Sequence, residues 1–168
     1  MKKWISVVLI ALVIGIGISS CLKDDSTRLP DCTPLTTAAP ANEVDSLKKL
    51  LSDSGVVATQ DSRGFFYILE NGSSTDTSHP SRCSDVSVTY KGTFFNGKSF
   101  DSTRDNAPAS FNLSGTIAGW QEAIPLMKKE TTMTLFVPPS LGYGPNDYMG
   151  VIPGNSYLIF KVKLWAYN

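Results

Sequence analysis

Apolar and polar side chains alternate from Val86 to Lys91, with Val86, Val88 and Tyr90 set against Ser87, Thr89 and Lys91. A period of two belongs to a strand with one buried face. Asn96-Gly97 follows, the pairing of a type I′ turn, in which both central residues take positive φ. The chain is therefore expected to reverse there and return Phe100 and Asp101 alongside the first strand. One carboxylate then stands among Tyr90, Phe94, Phe95 and Phe100, which suits a shaped apolar pocket with a single polar handle. On this stretch alone the rings serve equally well as plain core, with Asp101 capping a turn.

The same reading divides the rest of the chain. Val44, Leu47, Leu50 and Leu51 fall on one face of a short helix that Asn42 caps and Gly55 ends. A second hairpin runs from VVATQ through Asp61-Ser62-Arg63-Gly64 to FFYILE, and Asn71 to Ser84 is a polar loop. Phe111 and Leu113 mark a short strand. Trp120, Ala123, Ile124 and Met127 face one way on a short helix that Pro125 limits. TTMTLFVP and SYLIFKVKLWAY are strands, and the apolar majority of the last gives it a central place. Between them, PPSLGYGPNDYMGVIPGN is a Gly- and Pro-rich loop carrying Tyr143, Tyr148, Val151 and Ile152. A loop of that length in a small domain is usually functional.

The N-terminus reads as an address. Met1-Lys2-Lys3 is basic, Ile5 to Ile18 is almost wholly apolar, and Ser19-Ser20 precedes Cys21. This is the three-part layout of a secretory signal, too short for a comfortable membrane span. Ile18-Ser19-Ser20-Cys21 resembles a bacterial lipoprotein box, in which Cys21 is acylated and becomes the first mature residue; an ordinary signal peptide or a retained anchor helix is the plainer alternative. Lys23-Asp24-Asp25 resembles the acidic tethers of some surface-exported lipoproteins. The expected organisation is a signal over 1–20, a flexible tether over 21–41, a short helix over 42–54 and one folded domain over 55–168.

With 168 residues, equal numbers of acidic and basic side chains and a pI near 6.6, nothing in the charge balance favours nucleic acid, whose binding needs a clustered basic surface. Cys32 and Cys83 remain once Cys21 is set aside. They suit a disulfide in an extracytoplasmic compartment or two free thiols; with His79 alone they make no zinc-like ligand spacing, and no metal or cofactor is expected.

The order TYKGTFFNGKSFDST, IAGWQEAI, LGYG, GVIPGNSYLIFKVKL resembles the FKBP-type peptidyl-prolyl cis-trans isomerases, the macrolide-binding immunophilins, over about residues 84–166. The resemblance implies an α+β fold, an antiparallel twisted sheet wrapped around one short helix, with the pocket between them. It places Tyr90, Phe100 and Asp101 on one wall and Ile117 and Trp120 at the edge and floor. Tyr143, Val151 and Ile152 form the flap, and Phe160 the back. Asp101, Tyr143 and Trp120 are then the catalytic set. The implied partners are Xaa-Pro polypeptides of exported proteins, macrolide inhibitors and, through the lipid anchor, a bacterial outer membrane or cell surface. Two positions depart from the family pattern. Ala109 stands where active members commonly place another pocket aromatic, and Tyr148 replaces a frequent flap histidine. The alternative reading is a lipid-anchored chaperone or peptide-binding module that uses the same groove with little turnover, or a surface lipoprotein that has kept only the fold.

Overall fold

A computed structural model describes residues 32–33, 35–70, 77–104 and 107–168. The signal, the box at Cys21 and most of the tether lie outside the described residues. Among those described, no helix is long and apolar enough to cross a membrane. In chain order the elements are α1 (Ala41–Asp53), β1 (Thr59–Gln60), β2 (Phe66–Glu70), β3 (Asp85–Phe94), β4 (Ser99–Ser102), β5 (Ala109–Asn112), α2 (Ala118–Ala123), β6 (Thr132–Val137) and β7 (Leu158–Tyr167).

The strands form one antiparallel sheet in the order β1-β2-β6-β7-β3-β4. The outer edge of β3 is shared: β5 pairs with Asp85–Val88 and β4 with Lys91–Thr93. β7 is paired with β3 along nearly its whole length and with β6 from Leu158 to Lys163, which gives it the central place expected of it. Alternation sends Val86, Val88, Leu135, Val162 and Leu164 to one face, where they bury Trp120, Ala123, Ile124 and Met127. On the opposite face Phe66 and Phe136 receive Leu47 and Leu51 of α1. α2 is brief because Pro125 lacks an amide N–H; a 3-10 turn over Ile124–Leu126 follows it at once.

Several local expectations change. Asn96 does not take positive φ; Gly97 does, at 82°. The Gly97 N–H donates to the Phe94 carbonyl at 2.9 Å and the Phe94 N–H to that of Lys98 at 3.0 Å, so a longer turn closed by a left-handed glycine replaces the two-residue type I′ loop. Asn96 instead accepts from the Lys98 N–H through Oδ1. α1 begins one residue before Asn42, with Pro40 at the cap position and no side-chain cap. The Val56-Val57 end of the second hairpin stays out of the sheet, with Val57 92 % exposed, because β1 pairs with β2 only at Thr59 and Gln60. Leu113 leaves the strand for a 3-10 turn. The described part of the segment read as tether lies against the domain: Cys32 is joined to Cys83, and the Ala39 N–H donates to the Arg63 carbonyl at 2.8 Å.

One charge on α2 lies in the interior. Glu122 is 3 % exposed and neither carboxylate oxygen has a hydrogen-bond partner among the described residues. Arg63 is the nearest cation, at 3.7 Å, but its Nε donates at 2.7 Å to Asp61. Burial raises the Glu122 pKa to about 7; Arg63 pulls it down and Asp61 adds to the rise. The unfolded chain returns this carboxyl to near 4.5, so between about pH 4.5 and 7 the folded chain holds a proton that the unfolded chain releases. Glu122 therefore favours folding fully below that window, and the contribution is lost as pH rises through it. We predict that Glu122→Gln flattens this part of the pH–stability curve and raises stability at pH 8 relative to wild type by roughly 1 to 3 kcal/mol. Denaturant unfolding at pH 5 and pH 8 checks it; an unchanged pH dependence in the variant contradicts it.

Candidate active site

Ile117 and Trp120 come from the start of α2, where the Trp120 N–H donates to the Ile117 carbonyl at 2.9 Å and turns the indole into the concave side of the sheet. Three rings meet it edge-on: Tyr90 of β3 at 5.2 Å between centroids, Phe160 of β7 at 5.5 Å and Phe111 of β5 at 5.8 Å. Each such pair contributes about 0.5–1.5 kcal/mol beyond burial and fixes ring orientation. Above the indole opens a cavity of about 270 Å³, walled by these rings together with Asp101, Gly115, Thr116, Ile117, Tyr143 and Tyr148.

The polar groups are few and specifically placed. The Tyr90 hydroxyl donates to Asp101 Oδ2 at 2.5 Å, and the Ser102 N–H donates to Oδ1 at 2.8 Å. The carboxylate thus sits exposed at the rim with both oxygens held. Burial, and next the hydrogen bond to Asp101, push the Tyr90 pKa well above its usual value. Tyr143 is raised in the same direction, first by burial and then by Tyr148 and Asp101. Both phenols keep their protons at neutral pH. The Tyr143 ring stacks on Tyr148 at 4.3 Å, and its hydroxyl has no hydrogen-bond partner among the described residues. The buried indole Nε1 of Trp120 likewise has none.

Of the site residues expected from the sequence, Tyr90, Asp101, Ile117, Trp120, Tyr143 and Phe160 line this cavity. Phe100, Val151 and Ile152 do not. Phe100 stands behind Phe160, 5.5 Å away and edge-on, with Phe94 on its other side at 5.0 Å. Ile152 is 4 % exposed in the core, held by the backbone bridge to Tyr148. Val151 points outward, 54 % exposed, into a second groove of about 400 Å³ between the flap, Leu50 of α1 and the β3–β4 turn. Phe111 is legible in the sequence only as a strand residue, yet it stands two residues after Ala109, and that same-face spacing is the signal that a ring remains on this wall. Ala109 pairs with Val88 in the sheet and lines neither cavity. Gly115 and Thr116 carry no sequence signal, because they form the wall from a turn.

A family model described as FKBP-type peptidyl-prolyl cis-trans isomerase matches residues 76–165. The chain is 44% identical over 86 residues to the outer membrane protein MIP of Legionella longbeachae, across 51% of this chain and 37% of that protein. It is 35% identical over 104 residues to a peptidyl-prolyl cis-trans isomerase of Schizosaccharomyces pombe, across 60% of this chain and 91% of that one. The crystal structure of FkpA from Escherichia coli superposes with a TM-score of 0.64 at 32% identity, covering 76% of this chain and 58% of FkpA. The chain spans less than half the length of the first relatives it matches.

The ring cluster depends on one close approach. A Cβ on Gly92 of β3 would lie 2.6 Å from two ring atoms of Phe100 and 3.2 Å from Phe160. Both rings are held by neighbours, so the methyl group cannot be absorbed cheaply. Gly92→Ala is expected to lower stability by about 1–3 kcal/mol. It should also move the aromatic NMR signals of Phe100 and Phe160. A neutral or stabilising effect in denaturant unfolding contradicts this.

Proposed function

Because the chain belongs to the FKBP-type peptidyl-prolyl cis-trans isomerase family, we propose that it accelerates cis-trans rotation about Xaa-Pro bonds of exported polypeptides in the cavity over Trp120. The observation that carries this reading is a protonated, unpartnered Tyr143 hydroxyl beside a cavity whose floor and walls are aromatic. Rotation meets a barrier of about 18–20 kcal/mol, because amide resonance must be broken. The reaction makes and breaks no covalent bond, so it calls for shape, dryness and a few placed dipoles. The proline ring lies on the Trp120 indole, with Tyr90, Phe111 and Phe160 enclosing it. Tyr143 donates a hydrogen bond to a substrate carbonyl. Asp101, held by Tyr90 and Ser102, sets the field beside the carbonyl that swings out of the amide plane. Low polarity disfavours the charge-separated planar amide relative to the twisted one.

The compartment follows from other residues. The apolar N-terminal stretch and the box ending at Cys21 support export and lipid anchoring in a bacterial envelope. The Cys32–Cys83 bridge suits an oxidising location. The same cavity is the candidate seat for macrolide inhibitors. A second reading, a peptide-gripping chaperone with little turnover, draws on the exposed Tyr148, Met149 and Val151 along the flap.

The decisive assay follows prolyl exchange in an Xaa-Pro peptide by NMR or protease coupling. Wild type is expected to accelerate exchange. Trp120→Ala should reduce kcat/KM by about 100-fold and Asp101→Asn by about 10-fold, since the first removes the floor and the second only trims the field. Tyr143→Phe should lie between them. Trp120→Ala equal to wild type sinks the mechanism, and a folded wild type with no acceleration makes peptide gripping the primary reading.

A further inference from the structure

Gln121 follows Trp120 on α2 and turns away from the rings. It is 9 % exposed, and every hydrogen-bonding atom of its amide is engaged. Nε2 donates to the Thr116 carbonyl at 2.6 Å and to the Ser114 carbonyl at 3.2 Å. Oε1 accepts from Arg82 Nε at 2.6 Å. Arg82 also donates through Nη1 to the Thr33 carbonyl at 2.9 Å, and its neighbour Cys83 is joined to Cys32. The two carbonyls that Gln121 holds flank Gly115, and Gly115 and Thr116 are cavity wall.

We propose that Gln121 is a positioning residue that sets the Ser114–Thr116 wall of the cavity, and that Arg82, anchored beside the Cys32–Cys83 bridge, sets Gln121. The chemistry of the groups makes the arrangement directional. A guanidinium only donates, so Arg82 must face the amide oxygen, and this turns the NH₂ toward the two carbonyls. Flipped, the same amide would put an oxygen against two carbonyl oxygens and its NH₂ against a cation. The contact chain runs from residues 32–33 through Arg82 and Gln121 to a wall that touches substrate in both ground and transition states. Loosening the wall therefore weakens binding more than turnover. The kinetic part of this inference rests on the proposed isomerase reading; the structural part does not.

The discriminating variant is Gln121→Glu, which keeps an acceptor for Arg82 but faces the wall carbonyls with oxygen. In the exchange assay KM is expected to rise about tenfold, equivalent to ~1.4 kcal/mol, with kcat within about twofold of wild type. In the free protein the amide NMR signals of Gly115 and Thr116 should shift. Arg82→Ala, which alters no fully buried side chain, should shift the same two signals by a smaller amount. So should reduction by a dithiol, which passes two electrons and two protons to the bridge, gives two thiols and becomes a cyclic disulfide. A lowered Tm with unchanged KM and unchanged Gly115 and Thr116 signals in Gln121→Glu overturns the proposal. Signals unmoved by Arg82→Ala and by reduction overturn its second half. If wild type shows no turnover, the isomerase reading fails and the two amide signals alone decide this one. If Gln121→Glu does not fold, the two signals in Arg82→Ala decide it: shifted, they support the proposal, and unmoved, they overturn it.

Discussion

The edge-on clamp of three rings on the Trp120 indole is the constraint on which the rest of the structure depends. Tyr90, Phe111 and Phe160 come from three different strands, and they meet one indole only if the sheet curls so that those strands face α2 together. β3 makes this geometry available. Its outer edge is divided between β5, which delivers Phe111, and β4, which delivers Asp101, while β7 on its inner edge delivers Phe160. A register slip of one residue on β3 would send Tyr90 to the other face and dissolve the cavity.

The second face of the sheet carries a different load. Phe66 and Phe136 point away from the cavity and are covered by Leu47 and Leu51 of α1, so the sheet is buried on both sides over its β2–β6 half. This cover has two consequences for the site. It keeps β6 and β7 from exposing an apolar outer face, and it brings Leu50 close enough to the flap to form the second groove with Val151 and Pro153. The flap therefore has a tyrosine pair on its cavity side and an exposed apolar edge on its outer side.

Much of this is legible in the sequence, and the gaps have physical causes. The period-2 runs locate β3, β6 and β7 and assign their faces, because a one-faced strand must alternate. The motif order points to the family, and the fold follows. The turn at Asn96-Gly97 differs in type from its sequence signal, since a glycine at positive φ serves both a two-residue loop and a longer one, and only the backbone bonds separate them. Phe100 and Ile152 are apolar neighbours of cavity residues, and sequence adjacency does not tell a wall from the layer behind it. Gly115 and Thr116 line the wall from a turn, and Gln121 acts through a side-chain amide whose partner Arg82 lies 39 residues away, so none of the three gives a signal.

α2 brings these threads onto a single turn of helix. Three consecutive side chains leave it in three directions: Trp120 forms the cavity floor, Gln121 ties the wall, and Glu122 lies against Arg63 in the hairpin before β2. A six-residue helix has too few internal hydrogen bonds to hold itself, so its position is dictated by what its side chains grip. The buried Glu122 carboxyl gains little from Arg63, which is committed to Asp61, and at neutral pH it sits near its titration point. The helix that carries the floor of the cavity is thereby anchored by rings on one side and weakened by an incompletely compensated charge on another. Of these, the rings must supply the rigidity, because the proposed catalysis of a rotation would work through fixed surfaces rather than through a reactive group.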